Sequence, residues 1–271
     1  MSQTIESVRT PVMSTLDSEE LRRQIAHDGQ LIVRDVLTPA EVCSLKAALE
    51  RAIDAEAEYH GSKTYADYGM VLLCALYGRE FIDLCGHERI MAPFHAVLGP
   101  GCIIYAYTSS SMPPNGKNYS ARIHVDCPRL IPGYVTNMGA TILLDDFTVD
   151  NGATWFLSGS HTRPDPPPEE EFFAHASRLA APAGSVWYFN ARVWHRGGEN
   201  RKSNWRHALT LNMCRPWMKQ RLDIPRAMSG IDLAGAPELA KQKLGFFAQP
   251  PASYDEFYVP PERRTFRQRP E

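Results

Sequence analysis

Two imidazoles and one carboxylate stand out for the chemistry they can do together: His124 and Asp126, in the run His124-Val125-Asp126, and His195. On a strand, residues two apart share a face and lie about 6.5–7 Å apart along it, so His124 and Asp126 can converge on one ion. Nine histidines and 31 acidic residues in 271 positions give about one His-x-acid pair by composition alone, and the chain has one, so the pair means little without its context. His195 supplies that context 69 positions after Asp126, across a β-rich interval of the kind that separates neighbouring strands of a jelly roll. Two imidazoles and a carboxylate on one octahedral face form the facial triad of non-haem Fe(II), which leaves three positions for a bidentate cosubstrate and dioxygen.

Arg206 adds a fourth element, at the start of a strand-like run eleven positions after His195. Strand parity puts Ala208, Thr210 and Asn212 on its side, and Leu209, Leu211 and Met213 on the other. The first face is small and polar; the second is apolar and suited to packing against helices or another sheet. An arginine aimed into a small polar interior needs a carboxylate partner, because an unpaired buried charge is costly. 2-Oxoglutarate offers one, and its other end can chelate iron. An ordinary structural salt bridge is the alternative for Arg206 taken alone.

The elements that must position these residues fall into three stretches. Residues 1–100 read as a helical brace: Asp17 to His27 opens with an acidic first turn, Thr38-Pro39-Ala40-Glu41 is a capped start leading into Val42 to Tyr59, and Arg79 to Leu98 reads as a further helix ending at Gly99. Leu31 to Arg34 reads as a short strand between the first two. Residues 101–215 carry β-rich runs at 102–111, 120–125, 135–144, 154–157, 184–189 and 206–214, separated by Gly, Pro and Asn turns. This is the pattern of an antiparallel sandwich or jelly roll, mainly β with bracing helices, an α+β arrangement. Pro164 to Glu171 reads as a surface insertion, and 216–271 as a C-terminal wrap or lid over the same single domain.

Composition narrows the partners. Formal charge is -2 with pI about 6.5, so nothing calls for nucleic acid or an anionic membrane, and a small molecule is the expected partner. The six cysteines form no C-x-x-C pair and fit reduced thiols of a cytoplasmic protein. The first residues lack a signal-peptide pattern and no run is long enough to span a membrane. A homodimer is the base-rate expectation.

The chain resembles the phytanoyl-CoA dioxygenase family in His124-Val125-Asp126, in Asp150-Asn151-Gly152-Ala153-Thr154 followed by Ser158-Gly159-Ser160-His161, and in His195-Arg196-Gly197-Gly198-Glu199-Asn200 reaching Arg206. The resemblance runs from about Leu21 to Trp217. It implies a double-stranded β-helix, cupin-like in outline, with Fe(II) held by His124, Asp126 and His195 and 2-oxoglutarate anchored by Arg206. It also implies a cosubstrate contact for Thr154, a structural role for His161, and hydroxylation, desaturation, epoxidation or rearrangement of a substrate with release of succinate and CO2, ascorbate serving as reductant in vitro. Many relatives place a glutamine three residues before the first histidine, where this chain has Ala121; that contact is absent or falls to Asn118 or Tyr119. Related halogenases replace the carboxylate ligand with a small residue, and Asp126 argues against that chemistry.

Candidate substrate residues near such a centre are Tyr105, Tyr107, Tyr119, Arg122, Met138, Trp187 and Arg192, a partly aromatic set suited to a mid-sized secondary-metabolite intermediate. No Lys/Arg cluster marks a coenzyme A phosphate site. Two readings from other classes stay open: a ligand-binding β-sandwich without turnover, and a zinc or manganese hydrolase or isomerase on a cupin-like scaffold, which leaves Arg206 without a purpose.

Overall fold

A computed structural model describes residues 17–65 and 67–263; the N-terminal stretch read for a leader sequence lies outside them. Helix α1, Ser18–Asp28, starts where the Asp17 carboxylate accepts the Glu19 N–H. It is followed by strand β1, Gln30–Val33. Helix α2, Pro39–His60, opens with the capping box expected from Thr38 and Glu41, each side chain satisfying the other's backbone N–H. The single helix expected over Arg79 to Leu98 is two: α3, Arg79–Leu84, and α4, Glu88–Leu98. The break falls at Gly86, whose missing side chain leaves room for Pro237 from the C-terminal segment, since a Cβ there would lie 2.9 Å from the proline ring. Tertiary packing thus overrides a helical pattern.

The remaining elements are β2 (Ile103–Ser109), β3 (Asn137–Leu143), β4 (Trp155–Phe156), α5 (Glu169–His175), β5 (Ser177–Arg178), β6 (Val186–Asn190), β7 (His195–Arg196), β8 (Ala208–Cys214) and three short helices, α6 (Ile224–Ala227), α7 (Glu238–Lys243) and α8 (Tyr254–Phe257). Five strands form a major antiparallel sheet in the order β1-β6-β3-β8-β2, and three form a minor one, β5-β4-β7. The expected strand at 120–125 survives only as a bridge pairing His124 with His195, which extends the minor sheet beyond β7. The two sheets, with consecutive strands passing between them, make the double-stranded β-helix.

The two faces of the major sheet have opposite chemistry. Leu209, Leu211 and Met213 of β8 join Ile104, Tyr107, Met138, Ala140, Ile142, Val186 and Tyr188 in one core with the apolar faces of the helices. The inner face, between the sheets, is graded. At the β6 end it is filled by Ile32, Trp187 and Phe189, packed on Phe156 of the minor sheet. Toward β8 and β2 it narrows to Thr141, Thr210, Asn212, Ala106 and Thr108, by the alternation that the register imposes. Bulk at one end and small polar groups at the other leave working space on one side only.

The C-terminal segment folds back on the outer edge. Gln220 donates to the Ile104 carbonyl, the Arg221 N–H to the Tyr105 carbonyl, and the buried Lys243 ammonium to the Pro100 and Cys102 carbonyls. Among the described residues no helix is long and apolar enough to cross a membrane.

The gradient depends on Gly139, because a Cβ there would sit 2.3 Å from the Phe189 ring that covers it. Gly139→Ala is expected to cost about 1–3 kcal/mol of stability through overpacking. Urea denaturation measures this, and an unchanged midpoint would show that the ring shifts freely.

Candidate metal centre

His124 and His195 face each other across the end of the minor sheet. Each donates its backbone N–H to the other's carbonyl, at 2.9 and 3.0 Å, a hydrogen-bonded antiparallel pair that sets both side chains on one side. Their ring centroids lie 4.3 Å apart. Each Nδ1 sits on a carbonyl two residues back, His124 on Arg122 at 2.8 Å and His195 on Val193 at 2.9 Å. Both Nδ1 atoms therefore carry the proton, and both Nε2 lone pairs point inward.

Asp126 reaches the same point. Its N–H and that of Cys127 both donate to the Ala191 carbonyl, which bends the chain after His124. Asp126 Oδ1 then lies 3.6 Å from His124 Nε2 and 3.7 Å from His195 Nε2. One ligand atom from each of the three residues falls within 4.8 Å of the others, so the group can hold one metal ion. Burial, aided by the neighbouring His195, pushes His124 down to about 4, so the ring is neutral and ready to coordinate near neutral pH. The second carboxylate oxygen, Oδ2, accepts from Asn212 Nδ2 at 3.4 Å, and Asn212 Oδ1 accepts from Asn137 Nδ2 at 3.5 Å. Trp187 and Phe189 back the His195 ring with apolar surface.

Arg206 enters from the start of β8, 2% exposed. Nη1 donates to the Ser110 carbonyl and Nη2 to the Gly152 carbonyl, both at 3.2 Å, and Cζ sits 4.0 Å above the Phe147 ring. Nε has no hydrogen-bond partner, and among the described residues no carboxylate forms an ion pair with the guanidinium. Burial pushes its pKa down to about 9, the through-space attraction of Asp145 offsetting only part of that cost. An incoming carboxylate can supply a direct partner, and the donor set beside it, two imidazoles and a carboxylate, suits iron. The residues present therefore fit Fe(II) and 2-oxoglutarate.

The Asn-Gly-Ala-Thr turn builds one wall of this niche. Asn151 Oδ1 accepts the Thr148 N–H at 2.8 Å, and Gly152 takes φ of 85°, a left-handed conformation that presents its carbonyl to Arg206. Thr154 follows, partly buried, on the same face of the strand as Phe156 and therefore directed between the sheets. His161 Nε2 bonds the Ala26 carbonyl, away from the triad.

The candidate substrate residues scatter. Tyr119 and Arg122 lie on the segment leading to His124: the Tyr119 hydroxyl donates to the Ser109 carbonyl, and Arg122 is exposed with its charge felt by His124. Tyr105 sits at a β-bulge under Arg221. Four of the expected residues lie elsewhere. Tyr107 and Met138 pair with Leu211 and Met213, on the face buried against the helices, and cannot meet a substrate at the triad. Trp187 is sealed behind His195, its Nε1 donating to Gln30. Arg192 points away to the Pro128 and Arg163 carbonyls, beside a cavity of about 250 Å³ formed by α1 and residues 129–136. Sequence reasoning missed Asn212 as the hold on Asp126, although parity had placed it on the right face, and Phe147 under Arg206, which no local pattern marks.

Removing the hold on Asp126 tests its role. Asn212→Leu is expected to weaken Fe(II) affinity by about 10–100-fold with the fold intact, as read by metal titration; wild-type affinity would assign Asn212 to packing. Next to Arg206, burial pushes His207 down to about 4. An unfolded histidine, with a pKa near 6.5, binds a proton that the folded one refuses, so stability falls as pH drops from about 6.5 toward about 4. His207→Gln should flatten part of that slope in denaturation curves taken across this window.

The sequence profile described as phytanoyl-CoA dioxygenase matches residues 25–208. Two uncharacterized proteins, from Mycobacterium bovis and Mycobacterium tuberculosis, are each 26% identical over 247 residues, covering 88% of this chain and 90% of theirs. Among solved structures, AviO1 from Streptomyces viridochromogenes Tue57 aligns with a TM-score of 0.61 and 24% identity, covering 76% of this chain and 98% of its own. The non-heme alpha ketoglutarate dependent carbocyclase SnoK from nogalamycin biosynthesis aligns at 0.62 and 19%, over 83% and 94%. The epimerase SnoN of the same biosynthesis aligns at 0.57 and 22%, over 73% and 83%. With most of its length matching the profile and its fold shared with such enzymes, the chain belongs to the phytanoyl-CoA dioxygenase family of Fe(II)/2-oxoglutarate-dependent oxygenases.

Proposed function

We propose that His124, Asp126 and His195 hold the iron, that Arg206 anchors the distal carboxylate of 2-oxoglutarate, and that the enzyme oxidises a small secondary-metabolite intermediate. The observation that carries the reading is the buried Arg206 guanidinium, without an ion-pair partner among the described residues, on the same inner face as the triad. When bound, iron and 2-oxoglutarate supply oxygen activation, with decarboxylation to succinate and CO2 driving removal of a substrate hydrogen.

The residues do the positioning. Reciprocal backbone bonds fix the two imidazoles, Asn212 turns Asp126 Oδ1 inward, and the Ser110 and Gly152 carbonyls aim the guanidinium. A carboxylate meeting Arg206 gains a charge-assisted contact in a site closed to water by Phe147 and the 150–154 turn. Thr154 is placed to add a hydroxyl contact.

The substrate reading rests on the rim. The loop after Asp126 exposes Leu130, Ile131 and Tyr134, which favours a partly apolar ligand, while Arg122 and Arg221 lend positive charge near the opening. SnoK and SnoN, which share the fold, are named for carbocyclisation and epimerisation in nogalamycin biosynthesis. Such relatives favour tailoring chemistry here, with hydroxylation the simplest outcome and ring formation or epimerisation open to a different substrate pose. The C-terminal backbone contacts with β2 support one domain acting as a unit, its last segment a wrap at the rim.

Anaerobic titration of the Fe(II)-loaded protein with 2-oxoglutarate tests the reading through the visible charge-transfer band of the chelate. Wild type should give the band, and Arg206→Ala should lose affinity by about 100-fold or more while still binding Fe(II). No band with folded, iron-loaded wild type would overturn the oxygenase site; equal affinity in the variant would remove Arg206 as anchor.

A further inference from the structure

We infer that the Tyr119 hydroxyl is a cosubstrate contact, taking over on this chain the hydrogen bond that Ala121 has no group to make. The inference rests on the 2-oxoglutarate site proposed above.

Two side chains compete for the role, and their bonding separates them. Asn118 is fully engaged in its own turn: Oδ1 accepts from the Ser120 N–H at 3.0 Å and the Ser120 hydroxyl at 2.6 Å, while Nδ2 donates to the Ser111 carbonyl at 3.1 Å. Re-aiming it would break three bonds and open the turn. Tyr119 is held less firmly: its hydroxyl donates to the Ser109 carbonyl at 3.3 Å, near the limit for an O–H donor, and its other neighbours are the hydroxyls of Thr108 and Ser110, which can turn with it. The ring leaves the minor-sheet side and crosses to β2, so it closes the gap between the sheets with its outer edge in solvent and its hydroxyl inside.

The hydroxyl arrives at the right place. Arg206 Nη1 donates to the Ser110 carbonyl, the next along the chain from the one Tyr119 uses, so phenol and guanidinium converge on neighbouring peptide groups at the end of β2. Thr108, directed between the sheets, lies beside the phenol as well. Electrostatics agree: Arg206 feels Tyr119, and Tyr119 feels Asp126, so the phenol interacts through space with both the anchor and the metal-side carboxylate. Burial pushes the phenol up to about 12, which keeps it protonated and a donor at neutral pH. A ligand running from the triad to Arg206 passes this donor, which needs only to rotate its O–H from a weak carbonyl contact to a charged oxygen.

Calorimetric titration of anaerobic, Fe(II)-loaded Tyr119→Phe with 2-oxoglutarate tests this without turnover. The variant keeps the ring that closes the gap and loses only the hydroxyl. Kd should rise about tenfold, the usual consequence of losing a hydrogen bond to a charged group, with Fe(II) affinity in the absence of 2-oxoglutarate and the unfolding midpoint unchanged. Kd within about twofold of wild type, where wild type binds and Arg206→Ala does not, would overturn this inference alone. A parallel fall in Fe(II) affinity would also overturn it, by making Tyr119 a support of the triad. A wild type that binds no 2-oxoglutarate would overturn the function above as well.

Discussion

The reciprocal backbone bonds between His124 and His195 form the constraint on which the remaining arrangement depends. They join two segments that each make only a residue or two of regular pairing, and directly opposed residues of an antiparallel pair send their side chains to the same face. Everything nearby serves that pairing. Asp126 turns in because its N–H is taken by Ala191, one end of the loop that delivers His195, and Gly197 donates to Ser120 on the same segment that carries Tyr119. A slip of one residue in this short pairing would turn one imidazole to solvent while leaving most of the core untouched. The fold therefore invests its strongest long-range definition, the graded five-stranded sheet, in holding both segments from behind.

That sheet solves a second problem. A metal and a charged ligand need polar space inside a protein whose stability comes from filling space with apolar groups. Here the two demands are segregated along one face: Trp187, Phe189 and Phe156 stack at one end, while Asn212, Thr210 and Thr108 line the other. Gly139 lets Phe189 lie flat over β3, so the aromatic layer ends where the Asn212–Asp126 contact begins.

Much of this was legible in the sequence, and the failures have a physical pattern. Residues whose placement follows from local spacing were legible: the Thr38 cap of α2, the convergence of His124 and Asp126, and the side of β8 that Arg206 shares with Asn212. Residues whose orientation depends on pairing were misplaced. Tyr105 and Tyr107 share a parity in sequence, but the bulge between Ile104 and Ala106 exchanges the faces of β2, sending Tyr107 to the helices beside Phe81. Met138 lands opposite Met213 for a reason of register that no local pattern states. The helix expected through Gly86 fails because Pro237, some 150 residues away, needs the space. The bridge at His124 replaces a strand because the segment before it is pinned by an asparagine turn and an aromatic crossing, neither of which permits a ladder.

The solitary guanidinium at Arg206 also ties the protein's persistence to its surroundings. If a dicarboxylate binds Arg206 as proposed, and binds only the folded form, it shifts the folding balance toward that form by mass action. On that reading the chain would keep part of its stability outside itself, in a metabolite pool. In a cell where that pool runs low, the enzyme would open more often, meet proteases sooner and decline in abundance, so that supply of the cosubstrate governs how much catalyst there is as well as how fast it turns over.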